Sequence, residues 1–255
     1  PTGERFSCWF GKISFVSEIM IHPIPLSKCE ICQNLPNFRR ANLVNGEALS
    51  GVDRMIGMEE FIPTPTRAAG GIVQCPVCGT RYEYACETGF MEHDEALGRL
   101  PPHEGWKDAS PEVLEKLYEA LSTDLESPNE DIREYAAGAL MLHYTNTCQI
   151  EKGIALLVNS DAKVKIGALY AFSRWKLDYT PYIAPIIDHL SADDGKVRDA
   201  ASTYFTDKTD ALSRYQDKLL KAFSTYPLGY TSIKILKTMA GAGLNIDLII
   251  PALKL

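Results

Sequence analysis

This chain of 255 residues lacks several features that would place it in a membrane or in a familiar enzyme class. No apolar run approaches the roughly 18 to 20 residues that cross a bilayer, because proline or charge interrupts residues 183–190 and 248–255. Residues 1–20 carry charged side chains within their apolar stretch, unlike a signal peptide. No nucleophile elbow, P-loop, dinucleotide-binding fingerprint or paired-carboxylate motif occurs. We therefore expect no membrane span and a protein that is not an enzyme.

Positive charge is scarce in the first part of the chain. The net charge is -7, and residues 1–150 hold 12 basic and 22 acidic residues, whereas residues 151–255 hold 14 basic and 11 acidic ones. The acidic first part would repel a polyanion, so a general attraction to nucleic acid or anionic lipid is disfavoured. A local basic strip in the second part remains open.

The spacing of four cysteines carries clear chemical content. Cys29 and Cys32 form one C-x-x-C pair, and Cys75 and Cys78 form another. A gap of two residues lets a tight turn aim both thiolates at one tetrahedral ion, and two such turns supply four ligands. Four thiolates leave no position for water. The spacing therefore predicts a structural Zn²⁺ bound by these four cysteines.

The second pair is the stronger of the two. Pro76 stiffens its turn, and Gly79 allows the left-handed backbone that follows the second ligand. This segment resembles one knuckle of a zinc ribbon. The first pair has Gln33 where such knuckles often carry glycine, and 42 residues separate the two pairs. Zinc would close that long connection and fix its ends.

Two alternatives for the cysteines stay open. The pairs could be free or redox-active thiols, although the βαβ pattern expected beside a redox pair is absent. A metal site could also use Cys86, His22 or His93 in place of one ligand. The other three cysteines, Cys8, Cys86 and Cys148, are scattered and do not suggest a disulfide framework. This favours a reducing compartment, so we expect a cytoplasmic protein.

The composition changes near residue 105. Before it, aromatic and β-branched residues predict strands at 5–10 and 13–21, and residues 71–84 predict a strand, a tight turn and a second strand. The connection 33–70 is long for a compact domain, so it either holds short elements or has its ends clamped. Residues 101–105 are interpreted as a linker.

From residue 111 onward the pattern is helical, with turn signals at regular intervals. The predicted helix pairs are 112–124 with 130–144, 149–158 with 162–176, 181–191 with 195–206, and 211–225 with 229–240, followed by a helix from about 246. Asn129, Asp161 and Asp194 stand where a side-chain oxygen can cap the second helix of a pair.

One short pattern recurs in the second helices. An apolar residue is followed by a basic one, by alanine four residues after the apolar residue, and by a large apolar residue eight after it. The copies are Ile132-Arg133 with Ala136 and Leu140, Val164-Lys165 with Ala168 and Phe172, and Val197-Arg198 with Ala201 and Phe205. Such spacing places these side chains on one helical face, with a small residue that lets a neighbouring helix approach closely.

Residues 110–255 resemble the HEAT repeat family, whose second helix carries Asp, Val-Arg, Ala and a Leu-like position. The closest match is Asp194 with Val197-Arg198 and Ala201. The fourth pair departs, because Lys237 falls where alanine is expected. The resemblance implies a helical solenoid and names no substrate. The predicted fold is α+β and multidomain: a small β-rich, zinc-ribbon-like domain at 1–104, then an all-α HEAT-like solenoid at 105–255.

Arg133, Lys165 and Arg198 recur at equivalent positions. They could form a basic strip for a partner, or an Asp-to-Arg ladder that joins neighbouring repeats, which the HEAT resemblance favours. We interpret the chain as a non-enzymatic scaffold or adaptor that holds a protein partner on a concave surface. The alternatives are a nucleic-acid-binding protein that uses the basic strip, and an enzyme with a cleft that uses His93 or Glu95.

Overall fold

A computed structural model describes residues 23–35, 37–42, 54–57, 70–88, 93–107, 109–207, 209–225, 230–244 and 247, in some places by their backbone alone. The chain divides into two compact units, 1–132 and 133–255, which we call the first and second units. The division falls near the start of a helix, Glu130–Asn146. The domain boundary predicted from the sequence, after residue 104, stays a prediction.

The described part of the first unit contains a five-stranded antiparallel sheet in the order β1-β5-β4-β3-β2. Its strands are β1 (Phe38–Asn42), β2 (Ile56–Gly57), β3 (Gly70–Gln74), β4 (Arg81–Thr88) and β5 (His93–Arg99). The two predicted strands before residue 22 lie outside the described residues.

The centre of the sheet follows from alternation along its strands. Tyr82 and Tyr84 of β4 are buried while Glu83 between them is exposed, as expected of a strand with one covered face. Tyr82 pairs with Val73 of β3, and Tyr84 pairs with Leu97 of β5. The strand, turn and strand predicted for residues 71–84 are confirmed.

The long connection between the two cysteine pairs contains short elements. β1 follows the first pair closely and adds to the far edge of the sheet beside β5, and β2 pairs with β3. Pairing with distant strands explains why the connection shows so little periodicity of its own, since each short strand depends on a partner far along the chain.

The predicted linker at residues 101–105 is instead a packed element. It forms the short helix α1 (Pro102–Gly105), in which Pro102 and Gly105 are buried. Arg81 donates a hydrogen bond to the carbonyl oxygen of Gly105, and its guanidinium carbon lies 3.8 Å from the centre of the Trp106 ring. Two consecutive prolines resemble a spacer in sequence, but these contacts attach the segment to β4.

The helices after α1 agree with the predicted pairs to within a few residues at most ends. They are α2 (Pro111–Asp124), α3 (Glu130–Asn146), α4 (Ile150–Leu157), α5 (Ala162–Trp175), α6 (Ile183–Asp188), α7 (Gly195–Thr203), α8 (Thr209–Thr225) and α9 (Tyr230–Gly241). Short 3-10 turns flank α6 and follow α7. The helix predicted from about residue 246 lies almost entirely outside the described residues.

Among the described helices, none combines the length and apolar character that crossing a membrane requires.

All three predicted caps are confirmed. The side chain of Asp161 accepts hydrogen bonds from the backbone N–H groups of Lys163 and Val164, at 2.8 and 3.1 Å. Asp194 accepts from the two equivalent N–H groups of α7, and Asn129 accepts from the N–H of Asp131 at 2.9 Å. Each cap satisfies donors that a helix start leaves without an intrahelical partner.

The recurring pattern marks the buried face of the helices, as predicted. Its nine apolar and alanine positions are all buried, namely Ile132, Ala136, Leu140, Val164, Ala168, Phe172, Val197, Ala201 and Phe205. Within the second unit, α5 packs against α7 and α7 against α9, while α4 contacts both α5 and α6, and α8 contacts α9. Consecutive second helices are therefore neighbours in space.

Two glycines, in addition to the predicted alanines, allow a close contact between α3 and α5. A methyl group added to Gly167 would overlap the backbone carbonyl of Glu134, and one added to Gly138 would lie 3.1 Å from the carbonyl oxygen of Gly167. Two ion pairs flank this crossing: Arg133 with Asp161, and Lys163 with Glu134, each at 3.1 Å. The first of these is one rung of the predicted ladder.

Candidate metal centre

The second cysteine pair lies in the turn between β3 and β4. The N–H of Cys75 donates to the carbonyl oxygen of Thr80 at 2.9 Å, which closes the hairpin, and the N–H of Gly79 donates to the carbonyl oxygen of Cys75 at 3.0 Å. Gly79 has a φ of 76°, in the left-handed region that favours glycine, as the sequence predicted. The turn directs the side chains of Cys75 and Cys78 to one side.

The first pair lies between two short 3-10 helices, Leu26–Lys28 and Cys32–Asn34. The N–H of Gln33 donates to the carbonyl oxygen of Cys29 at 3.0 Å, which matches the bond made by Gly79 in the other turn. Gln33 does so within a 3-10 helix and without a positive φ. A glycine is therefore unnecessary after the first pair.

The two turns bring the four sulfur atoms together. Their Sγ atoms all lie within 4.8 Å of one another, and all four residues are buried. Sγ of Cys29 lies 3.6 Å from that of Cys75, and Sγ of Cys32 lies 3.4 Å from that of Cys78. In a tetrahedral site with metal–sulfur bonds of about 2.3 Å, neighbouring sulfur atoms lie about 3.8 Å apart. The observed sulfur–sulfur distances are close to that value and well above the bond length of about 2 Å in a disulfide. The arrangement therefore fits a metal ion and makes this cluster a candidate metal site.

The electrostatics of the cluster reflect competition for protons among neighbouring thiols. Hydrogen bonding with Cys29, together with burial, raises the pKa of Cys32 far above that of a free thiol. Contact with Cys29 also raises the pKa of Cys75, but hydrogen bonds from Cys32 and Cys78 outweigh it and leave the value at about 7. Four adjacent thiolates repel each other, so a divalent cation would allow all four to be deprotonated together.

A buried arginine attaches the first turn to the sheet. Arg99, the last residue of β5, is 1% exposed. Its Nη2 donates to the carbonyl oxygens of Cys32 and Leu35, at 3.1 and 2.8 Å. Its Nη1 donates to the side chain of Asn37 at 2.8 Å, and its Nε donates to the hydroxyl of Tyr82 at 3.2 Å. One side chain thus connects the first cysteine turn with β4, the strand that follows the second.

A buried carboxylate anchors the same segment to α2. Asp124 accepts hydrogen bonds from the N–H of Leu26 at 2.7 Å, from the N–H of Ser27 at 2.9 Å and from the Ser27 hydroxyl at 2.7 Å. Asn129 adds a hydrogen bond to the carbonyl oxygen of Gln33 at 2.9 Å. The segment that carries Cys29 and Cys32 is therefore held on both sides by side chains distant in sequence.

Among the side chains that the structure describes, no further cysteine or histidine joins the cluster. Cys148 is exposed. Cys8 and His22 lie outside the described residues, and Cys86 and His93 lie in β4 and β5 at positions where only the backbone is described. Of the predicted site residues, the structure brings together Cys29, Cys32, Cys75 and Cys78. The same four cysteines were predicted as the ligands.

Neither Arg99 nor Asp124 was predicted, although both follow a pattern. Arg99 stands two residues after the buried Leu97, so strand alternation places it on the same inward face. Asp124 stands three residues after Leu121 and seven after Leu117, on the buried face of α2. A charged residue at a core position of an otherwise regular pattern is the signal that would have identified both.

Comparison with known proteins identifies no relative: no family model, no curated protein and no solved structure matches this chain. The four-cysteine cluster, the antiparallel sheet and the helical region that follows are therefore described from this chain alone.

Proposed function

We propose that the four-cysteine cluster binds one structural Zn²⁺. The observation that supports this most directly is the grouping of four buried sulfur atoms within 4.8 Å, contributed by two turns that are distant in sequence. Zinc prefers such a closed thiolate set, and the four ligands leave no coordination position for a substrate. The ion would hold the first unit together rather than carry out chemistry.

X-ray absorption at the zinc edge tests the ligand set. Four sulfur scatterers at about 2.3 Å are expected. A mixed shell of sulfur and nitrogen would instead assign a histidine ligand, and would overturn the four-thiolate proposal.

We further propose that the helices of the second unit stack as a HEAT-like solenoid. The packing of α5 on α7 and of α7 on α9, with the alternate helices α4 and α6 in contact with each other, supports this arrangement. In a solenoid each repeat contacts only its neighbours, so stability is approximately a sum over repeats. A closed helical domain would instead depend on every helix at once.

Truncation tests the solenoid. A chain that stops after Asp207 lacks α8 and α9. The proposal predicts that α4 and α5 keep their protection against hydrogen exchange, while α7 loses part of its protection because its outer neighbour is gone. Loss of protection throughout α4 and α5 would show a single cooperative domain and would contradict the solenoid.

The function that we propose is non-enzymatic binding of a protein partner along the second helices. The observation that carries this proposal is a cleft of about 280 Å³ that is formed jointly by α3, α5 and α7. Its lining residues are Glu134, Lys163, Ile166, Tyr170, Gly195, Lys196 and Asp199. The ring of Tyr170 is exposed among charged side chains of both signs, and an accessible aromatic residue with a polar surround is a feature of protein interfaces.

Nucleic-acid binding gains no support from three basic side chains of the second unit, because each already has a partner within the protein. Arg133 and Lys163 are engaged with acidic residues of neighbouring helices. The guanidinium of Arg198 donates to the carbonyl oxygens of Ala192 and Asp193. These contacts use the cations inside the protein, and a polyanion would have to compete for them.

Site-specific crosslinking tests the binding proposal. A photoreactive amino acid replaces Tyr170, at the cleft, or Val158, which is exposed at the end of α4. In cells, the proposal predicts adducts with a partner from position 170 and few from position 158, and Asp199→Lys should remove the adducts from position 170. Equal crosslinking from both positions, or none from position 170, would contradict it.

A further inference from the structure

The proposed zinc site creates an electrostatic problem for the first unit. One Zn²⁺ with four thiolates has a net charge of about -2, and all four cysteines are buried. A buried charge is costly unless an opposite charge or hydrogen bonds offset it. Asp124, which is also buried and is bound to the segment just before Cys29, adds further negative charge.

Arg99 is placed to supply the opposite charge. Of the described residues, it is the one cation that is buried. Its guanidinium contacts the carbonyl oxygen of a cysteine of the cluster, at 3.1 Å from Nη2 to Cys32. By contrast, Lys28 beside Cys29 is exposed, so water screens its charge.

The same guanidinium determines where the first cysteine turn lies. Two of its hydrogen bonds go to backbone carbonyls on either side of Gln33, and a third goes to Asn37, which begins the approach to β1. Its Nε binds Tyr82 of β4. The planar group therefore fixes the first turn against the strand that follows the second turn, with one side chain and no flexible intermediate.

We propose that Arg99 is a positioning residue of the metal site, which orients the Cys29–Cys32 turn toward the Cys75–Cys78 turn and offsets the negative charge of the metal-bound thiolates. This inference rests on the proposed zinc site. It adds a residue outside the ligand set, and it predicts that the positive charge at residue 99 contributes to metal affinity.

Three substitutions in the full-length chain separate the charge from the hydrogen bonds. Arg99→Lys keeps the charge, Arg99→Gln keeps a hydrogen-bond donor without charge, and Arg99→Met keeps neither. Zinc affinity is measured by competition with a chromophoric chelator. Arg99→Met and Arg99→Gln should bind zinc about 10- to 100-fold more weakly, the usual effect of losing a supporting residue. Arg99→Lys keeps the charge but not the planar group with its four hydrogen bonds, so it should recover part of that loss.

The absorption spectrum of the cobalt-substituted protein reports the charge near the sulfur atoms. It should not change if Arg99 only supports the fold. A nearby positive charge stabilises the sulfur lone pairs, so its removal should shift the sulfur-to-cobalt charge-transfer band to longer wavelength in Arg99→Gln and Arg99→Met. The band of Arg99→Lys should stay close to that of the unmodified chain.

Arg54→Met is the matched control. Arg54 also contacts the first cysteine turn, through an ion pair with Glu30 at 2.6 Å, but both side chains are largely exposed. Exposed pairs contribute little, so zinc affinity should change less than about twofold.

The possible results distinguish a failure of the proposed zinc site from a failure of the proposed role of Arg99. If the unmodified chain binds no stoichiometric zinc, the proposed metal site fails. If it binds zinc and Arg99→Gln binds as tightly as Arg99→Lys, with the same cobalt spectrum, the role of Arg99 is overturned. It is equally overturned if all three variants lose the structure of the β3–β4 hairpin at saturating zinc, because Arg99 would then be part of the sheet core alone.

Discussion

The two units are held together in different ways. In the first unit, contacts between residues far apart in sequence dominate: two cysteine turns 42 residues apart, Arg99 on the Cys32 turn, and Asp124 on the segment at Leu26. In the second unit, a repeated apolar pattern packs each second helix against the next. A few long-range polar contacts and a proposed ion therefore supplement the apolar core of the first unit, whereas a repeated apolar pattern organises the second.

The largest expected effect is unfolding of the first unit, with the second unit left folded, when two of the proposed ligands are replaced. Replacing Cys75 and Cys78 with serine removes half of the proposed ligands, and metal binding to comparable sites contributes on the order of 10 kcal/mol to folding. Amide hydrogen exchange of the β3–β4 hairpin should approach that of an unfolded chain, while α5 and α7 keep their protection. Cys148→Ser changes an exposed thiol and should alter neither. Unchanged protection of the hairpin in the double variant would show that the cysteines hold no metal that matters for folding.

Asp124→Ala tests the polar anchoring of the first unit without touching a ligand. The substitution leaves the N–H groups of Leu26 and Ser27 buried without their acceptor, at a cost of about 1 to 3 kcal/mol for each donor. The free energy of unfolding of the first unit should fall by about 2 to 5 kcal/mol, measured by denaturant-dependent hydrogen exchange. Glu126→Ala removes an exposed carboxylate of the same unit and serves as control. Equal effects of the two substitutions would show that the hydrogen bonds of Asp124 do not stabilise the first unit.

Gly167→Ala tests the packing of the second unit. The added methyl overlaps the carbonyl of Glu134 and forces α3 and α5 apart, which should destabilise the second unit by about 1 to 3 kcal/mol or more. Gly241→Ala adds a methyl where no atom lies within 4 Å, so it should be neutral or slightly stabilising. Thermal unfolding followed by circular dichroism distinguishes them, and a stable Gly167→Ala chain would mean that the two helices lie farther apart than described.

The two aspartate caps should differ by a smaller amount. Asp161→Ala and Asp194→Ala each remove a helix cap worth about 1 kcal/mol. Asp161 also pairs with Arg133, so its loss should cost up to about 1 kcal/mol more. Chemical denaturation measures the difference, and a larger effect at Asp194 would contradict the contribution of the ion pair.

A pH dependence of the second unit should be the smallest effect. Burial lowers the pKa of His189, whose Nε2 lies 2.7 Å from the carbonyl oxygen of Leu157. The folded state therefore favours neutral histidine, and stability present above the unfolded pKa of about 6.5 is lost as the pH falls below it. The protection factors of amides in α4 and α6, which correct for the slower intrinsic exchange at low pH, should fall between pH 7.5 and 5.5, and fall less in His189→Gln. An identical pH dependence in the variant would assign the effect to other groups.

Local patterns were predictable in both units, and long-range polar contacts were not. The caps at Asp161 and Asp194 and the buried positions such as Ala168 follow from spacing within one helix, so a single sequence reveals them. The four cysteines were predictable because ligand geometry restricts their spacing within each turn. In contrast, Arg99 and Asp124 act across 67 and 98 residues of sequence, and nothing local to either residue identifies its partner.

The close helix crossing shows a further limit of the sequence pattern. The alanines at the repeated positions predicted a close approach, and the structure also shows backbone contact at Gly138 and Gly167, which the pattern did not include. Alanine spacing identifies the buried face of a helix. The point at which two helices cross depends on how far one is shifted along its axis relative to the other. The sequence pattern of a single helix carries no information about that shift.

Native mass spectrometry of the full-length chain tests the central claim most directly. The account predicts one zinc ion per chain, bound with displacement of the four thiol protons and absent after Cys75 and Cys78 are replaced with serine. A folded chain that carries no metal, or one that keeps its zinc in the double variant, would contradict it.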